Sequence, residues 1–221
     1  MITKDAPAHD AIARACGAGR FVPFFRNRPI GQESVHAEID ASGGLSLRAE
    51  TEIAIHRFAL RQTVIAEFAA GLRLRWCTVD ARVNSRRLSL GVEIDRDRAV
   101  AWCRSGEQGC PGRCDLEHPP LLLLDNCFAS HALAALAARH HPPGPAAFTS
   151  LPAREKLTVT RPGTSKVLLG GREFAPPTLS LHLTPDLDEH VWAAGAWIER
   201  LVIPQSQMRV EWTTTDPGQP V

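Results

Sequence analysis

From Gly44 to Ile55 every second position is suited to a buried face: Leu45, Leu47, Ala49, Thr51, Ile53 and Ile55 share one parity, and Arg48, Glu50 and Glu52 the other. That is the period of a half-buried strand. Gly43-Gly44, coming after Val35–Asp40 and just before this strand, predicts a hairpin turn. Leu60, Val64 and Phe68 continue on one parity. Leu72, Leu74 and Trp76 then alternate with Arg73, Arg75 and Cys77. Leu88, Leu90, Val92 and Ile94 repeat the pattern after the Asn84-Ser85 turn, and Val100 and Trp102 share a face of the next strand. These segments predict a meander of five or six consecutive antiparallel strands.

A different period follows. Pro119-Pro120 bars a helix before that point, whereas Leu121 to Arg139 contains neither glycine nor proline and carries apolar residues at helical spacing. The segment predicts a helix over 121–139, apolar on most of its circumference and therefore buried. Two starts are open, because Asp125 or Asn126 would also cap a shorter helix with Leu121–Leu124 extended before it. The run His140-His141-Pro142-Pro143-Gly144-Pro145 ends the helix.

Strands are then expected at Lys156–Arg161, Ser165–Leu169, Thr178–Leu183, Val191–Ala194, Trp197–Ile203 and Met208–Thr213. The organisation read from this is an N-terminal arm with a first short strand at 1–32, a single domain at 33–213, and a flexible tail at 214–221. So long an antiparallel sheet curls as strand twist accumulates, and an apolar helix is best buried against its concave face. The expected fold is mainly β (α+β): a long curved antiparallel sheet, a half-barrel of about ten strands, wrapped around one buried helix. Incomplete packing between helix and sheet would leave an apolar ligand cleft.

The order of these elements resembles the half-barrel superfamily of bacterial outer-membrane lipoprotein carriers, which also includes uncharacterised domain families and a violacein-biosynthesis enzyme. The likeness rests on the meander, on the apolar entry into the helix (LLLLDNCFASHALAAL, Leu121–Leu136) and on the closing hairpin VWAAGAWIERLVIP (Val191–Pro204), and it spans about residues 33–213. The resemblance implies a curved sheet around a helix with a lipid- or glycolipid-like molecule in the cleft. The carriers have an export signal. Here residues 1–20 hold Asp5, His9, Asp10 and Arg14 and no apolar stretch, so a cytoplasmic location is expected and lipoprotein trafficking itself is not.

Composition narrows the function classes. The 221 residues are 44% hydrophobic and 22% charged, with a formal charge of +1, so neither a disordered chain nor a basic nucleic-acid footprint is indicated. No run approaches the ~20 apolar residues of a membrane span, so no stable membrane insertion is expected. Six cysteines are too few for a disulfide scaffold. Only Lys4, Lys156 and Lys166 are lysines among the 25 basic residues, and the arginines are spread along the chain.

The chemistry candidates are few. Cys103, Cys110 and Cys114, with His118 four residues on, could hold zinc or pair as a disulfide, but lack the two C-x2-C pairs of most structural sites, so no metal is expected. The alternating arginines Arg57, Arg61, Arg73, Arg75, Arg82, Arg86, Arg87, Arg96 and Arg98 read as the solvated face of the meander, balanced by Glu50, Glu52, Glu67, Glu93, Asp95 and Asp97. A phosphate or anionic headgroup would instead bring arginine forks together at a cleft mouth. His190, beside Asp186, Asp188 and Glu189, reads as a solvated charged turn. Ser130 and His131 are adjacent on the helix and point to different faces. No G-x-S-x-G elbow, P-loop, G-x-G-x-x-G or H-E-x-x-H occurs, so no catalytic residue or cofactor is expected.

Trp76, Trp102, Phe128, Leu124 and Trp192 are the expected lining of the cleft: Trp76 and Trp102 share the parity of the apolar face, and Phe128 lies on the helix. The expected function is non-catalytic binding of a hydrophobic or amphipathic small molecule. The alternatives are an enzyme acting by shape and positioning in the same cleft, or an interaction module using an exposed aromatic patch, with a second copy of the chain as partner.

Overall fold

The structure, a computed structural model, describes residues 6–69, 72–95, 98–105, 112–116, 122–124, 126–138, 144–151, 156–160, 165–184, 186–194 and 197–214. A helix α1 (Ala6–Cys16) is followed by β1 (Gly19–Phe25), the two-residue β2 (Arg28–Pro29), β3 (Gly31–Ile39), β4 (Leu45–Ile55), β5 (Phe58–Ala69), β6 (Arg73–Val83), β7 (Arg86–Asp95), β8 (Arg98–Ser105) and β9 (Gly112–Leu116). Then come β10 (Leu122–Leu124), the helix α2 (Phe128–Ala138), β11 (Gly144–Leu151), β12 (Lys156–Thr160), β13 (Val167–Leu169), β14 (Arg172–Phe174), β15 (Leu179–Thr184), β16 (Leu187–Ala194), β17 (Trp197–Ile203) and β18 (Met208–Thr214).

Sixteen of these strands form one sheet in the order β10-β11-β12-β15-β16-β17-β18-β1-β3-β4-β5-β6-β7-β8-β9, with β2 paired to β1. The sheet is larger than the ten strands expected. It gains β9 and β11, whose sequences are too short or too rich in glycine, proline and cysteine to show a period of two. All its pairings are antiparallel except β10 with β11. The sheet is open: its path ends at β9 and at β10 and does not close on itself.

The curl follows from who shares a core. One cluster gathers Val35, Ala49, Val64, Val79 and Leu90 from the meander, Leu181, Val191, Leu201 and Val210 from the other half, and both helices. Strands on both sides of β1 can meet the same helices only if the sheet bends around them. The first five of those residues lie directly opposite one another across β3, β4, β5, β6 and β7, an uninterrupted apolar row on the inner face.

The helix is shorter than its apolar stretch. Leu122–Leu124 are extended as β10, Asn126 turns the chain with a φ of 57°, and α2 starts at Phe128. The later of the two starts is the one adopted, because Leu122–Leu124 pair with Thr149–Leu151 of β11. From Cys127 to Leu136 every residue of this segment is buried.

The segment read as an arm holds α1, whose His9, Ile12 and Cys16 lie on one buried face, while His9 Nδ1 sits 3.0 Å from the carbonyl of Gly43 in the β3–β4 turn. Eleven residues with three polar positions carry too weak a stripe to announce this helix.

Phe21 is the hub of the aromatic packing between helix and sheet. Its ring centroid lies 6.3 Å from Phe128, 5.8 Å from Trp197 and 4.7 Å from Trp212. At 1% exposure it has no route to relax into solvent. Phe21→Ala is expected to cost about 3–5 kcal/mol in urea unfolding, the range for truncating a buried aromatic. A loss below about 1 kcal/mol would show that this junction is loosely packed.

On the outer face a separate hairpin, β13 with β14, lies over β16 and β17. Val167, Leu169 and Phe174 pack on Val202 and Trp192 there, and the guanidinium groups of Arg172 and Arg200 each stand 5.0 Å from the Phe174 ring.

Candidate functional site

On β3, β4 and β5 the inner face is apolar except for one row. Glu33, Thr51 and Gln62 lie directly opposite one another across β3, β4 and β5, and all three are buried. Alternation alone puts them there, since Glu33 has the parity of Val35 and Ala37, and Thr51 that of Ala49 and Ile53.

Glu33 is the centre of the row. Its Oε1 accepts the Ala129 N–H at 2.6 Å, and its Oε2 accepts the Phe128 N–H at 3.0 Å and the Thr51 hydroxyl at 2.7 Å. A helix leaves its first N–H groups without intrahelical partners, and an anion beside them is favoured by the helix dipole. The sheet therefore supplies the cap that Cys127, the residue before α2, has no side-chain oxygen to provide. Burial pushes the Glu33 carboxyl up to about 7, against the opposite pull of Thr51, the two amides and His131.

The same burial acts on the thiols nearby. Cys16 is pushed up to about 12 by desolvation and then by the charge of Glu33, Cys77 to about 12 by desolvation, and Cys127 well above the ordinary thiol value. Buried neutral thiols are poor nucleophiles, so these three serve as small core residues.

One turn into α2 lies a second buried pair. His131 Nδ1 is 2.6 Å from Glu189 Oε2 on β16, and the other carboxylate oxygen, Glu189 Oε1, is buried with no hydrogen-bond partner. This corrects the reading of 186–190 as a solvated turn: Glu189 is fully buried. It alternates with Val191 on the inner face, and His190 is the neighbour that turns away to meet Ser180 at 2.7 Å.

Ser130 stands beside this pair in sequence but is engaged elsewhere. Its hydroxyl donates to the Cys127 carbonyl at 2.8 Å and accepts the Leu124 N–H at 3.0 Å. The hydroxyl ties β10 to the start of α2, and a serine–histidine–carboxylate relay is not assembled here.

Of the five residues expected to line one cleft, the four whose side chains are described are divided between the inside and the outside of the sheet. Leu124 and Phe128 are inside, buried at the start of α2. Trp76 is outside. A bulge in β6 opposite Glu67 and Phe68 inserts Arg75, so that Leu74 and Cys77 point inward and Trp76 faces outward in register with Glu67 and Glu93. One extra residue in a strand reverses the parity beyond it, which strict alternation misses. Trp192 is also on the outer face, 5.9 Å from Phe174, with its indole N–H donating to the Ala175 carbonyl at 2.9 Å. Trp102 lies in β8 opposite Gly91, and its side chain is outside the described residues.

Cys103 and Cys114 fall on the adjacent strands β8 and β9, while Cys110 and His118 lie outside the described residues. Among the described residues no group of three or more His, Cys, Asp or Glu is arranged to hold a metal ion. No helix among them is long and apolar enough to cross a membrane.

Fold and interior together define an open, half-barrel-like antiparallel sheet around a buried helix, with the helix tied to the sheet by buried carboxylates. Comparison with protein-family models, with curated proteins and with solved structures finds no match for this chain.

Proposed function

We propose that the protein binds a hydrophobic or amphipathic, lipid-like small molecule between the inner face of the sheet and α2, without catalysing a reaction. The observation that carries this reading is the border of the inner face: Phe58, Val83, Leu88 and Ile94 continue the buried apolar rows but are themselves only partly covered. Half-covered apolar side chains next to a buried core, in a sheet with free edges, are what a ligand chain can complete. Within the site as revised, Leu124 and Phe128 remain on the ligand side, and Trp76 and Trp192 are excluded by the face they occupy.

The test is displacement of a fluorescent fatty acid, cis-parinaric acid, together with native mass spectrometry of protein purified without detergent. Saturable binding is expected, and Leu88→Asp is expected to weaken it about thirtyfold, equivalent to roughly 2 kcal/mol of lost apolar contact. Absence of saturable binding, or an affinity unchanged in the folded Leu88→Asp variant, would remove the inner face as the site.

A further inference from the structure

The opposite face of the same strands carries a feature of its own. Gln32, Glu52, Arg61, Arg82 and Arg87 lie directly opposite one another across β3, β4, β5, β6 and β7. Three arginines thus occupy consecutive register positions on one face, with Arg86 beside them at the start of β7 on the alternate parity. Opposed like charges on neighbouring strands destabilise a sheet, because directly opposed side chains stand only about 5 Å apart at Cβ.

Arg61 is relieved by Glu52, with Nε 3.0 Å from Oε1. Among the described residues Arg82, Arg86 and Arg87 have no ion-pair or hydrogen-bond partner. The acidic groups of the next row are already engaged: Glu50 takes Arg48 at 2.6 Å, and Asp80 takes the Ser89 hydroxyl at 2.7 Å. These side chains line an open trough of about 1430 Å³, whose remaining walls include the hydroxyls of Ser34, Thr63 and Ser85.

The backbone beneath is held rigidly. The turn between β6 and β7 places Asn84 at a φ of 55°, and Asn84 exchanges two hydrogen bonds with Ala59 at 2.7 and 2.8 Å, locking this hairpin to the preceding one. Guanidinium forks offer paired donors that match phosphate oxygens, and forks held on strands lose little freedom on binding.

From this register we infer that the trough is a binding site for a phosphate-bearing ligand, gripped by Arg82 and Arg87 with Arg61 and Arg86 at its flanks. The ligand removes the repulsion that the opposed arginines otherwise impose, and the hydroxyl walls suit the ester and sugar oxygens that accompany phosphate in small esters and in lipid headgroups. The grip is assigned to Arg61, Arg82 and Arg87 of the outer face and stands apart from ligand binding at Leu88 and its neighbours on the inner one.

The experiment has two probes: pyrophosphate in titration calorimetry, and sedimentation with phosphatidylcholine vesicles containing phosphatidylglycerol. Binding of pyrophosphate identifies a free phosphate ester as the ligand class, and binding of the anionic vesicles alone identifies a headgroup. In either arm the double variant R82Q/R87Q is expected to lose at least tenfold in affinity, while R57Q, an exposed arginine outside the trough, keeps it.

In the absence of ligand R82Q/R87Q is expected to melt at the same temperature as the parent chain or higher, since repulsion has been removed; a purely structural role would lower it. Failure of both probes to bind, or equal binding by R82Q/R87Q and the parent, overturns the assignment. Binding of cis-parinaric acid is expected to be the same in R82Q/R87Q, so failure of one site is read separately from failure of the other.

Discussion

Glu33→Ala is expected to destabilise the protein by about 3–5 kcal/mol in urea unfolding. The substitution leaves the Phe128 and Ala129 N–H groups and the Thr51 hydroxyl buried without their acceptor, and it opens a void under the first turn of α2. Glu33→Gln retains the volume and one acceptor oxygen but turns an N–H₂ toward a helix N–H, and is expected to cost about 2 kcal/mol at about pH 4.5. A loss under 1 kcal/mol in Glu33→Ala would mean that α2 is held by apolar packing alone.

The pH dependence of the same substitution has a definite sign. The Glu33 carboxyl lies at about 7 in the native state against 4.5 for an ordinary glutamate, so between those values the folded protein keeps a proton that the unfolded chain releases. Its contribution is therefore complete below pH 4.5 and lost as pH rises to 7, with a total of about 3 kcal/mol. The stability of the parent chain relative to Glu33→Gln should fall by that amount over this window, from the parent being the more stable at pH 4.5 to the variant being so at pH 7. A difference that stays flat or grows with pH would show that the carboxylate is the favoured native form.

His131→Ala is the second large effect, at about 3–5 kcal/mol. Glu189 is fully buried and its Oε1 already has no partner; removing His131 takes away the partner of Oε2 as well. Isolating one member of a buried ionisable pair costs more than the pair itself contributes. The double variant His131→Leu/Glu189→Leu should recover most of the loss, because apolar residues of similar size need no partner. If the double variant is less stable than His131→Ala, the pair is not the source of the penalty.

How much of this was readable beforehand depends on the kind of signal. Alternation placed β4 and β7 correctly because each carries a long parity, β5 was legible less cleanly because Gln62 interrupts its apolar positions, and the Gly43-Gly44 and Asn84-Ser85 turns were visible as turn chemistry. Helix α2 was visible, but its start was decided by β10 pairing with β11 some twenty-five residues later in the chain, which no local pattern contains. Trp76 was assigned to the wrong face because the bulge at Arg75 is a property of the β5–β6 pairing.

Glu33 and Glu189 left a trace that was not used: each sits on the apolar parity of its own strand, Glu33 with Val35 and Ala37, Glu189 with Val191. A carboxylate on an inward parity needs a partner, and that requirement points to the interior. The arginine row could be seen only as alternation, since which arginines stand opposite one another depends on register.

The pairing of β18 with β1, from Gly19 with Thr214 to Phe25 with Met208, has a consequence for biosynthesis. The seam joining the two halves of the sheet pairs strands that are separated by almost all of the other elements in the chain order. Until residue 214 emerges, β1 stands with one bare edge and the interior lacks a wall, a state that invites pairing with another nascent chain. Completion of this sheet is thus a long-range event that waits on every strand between β1 and β18.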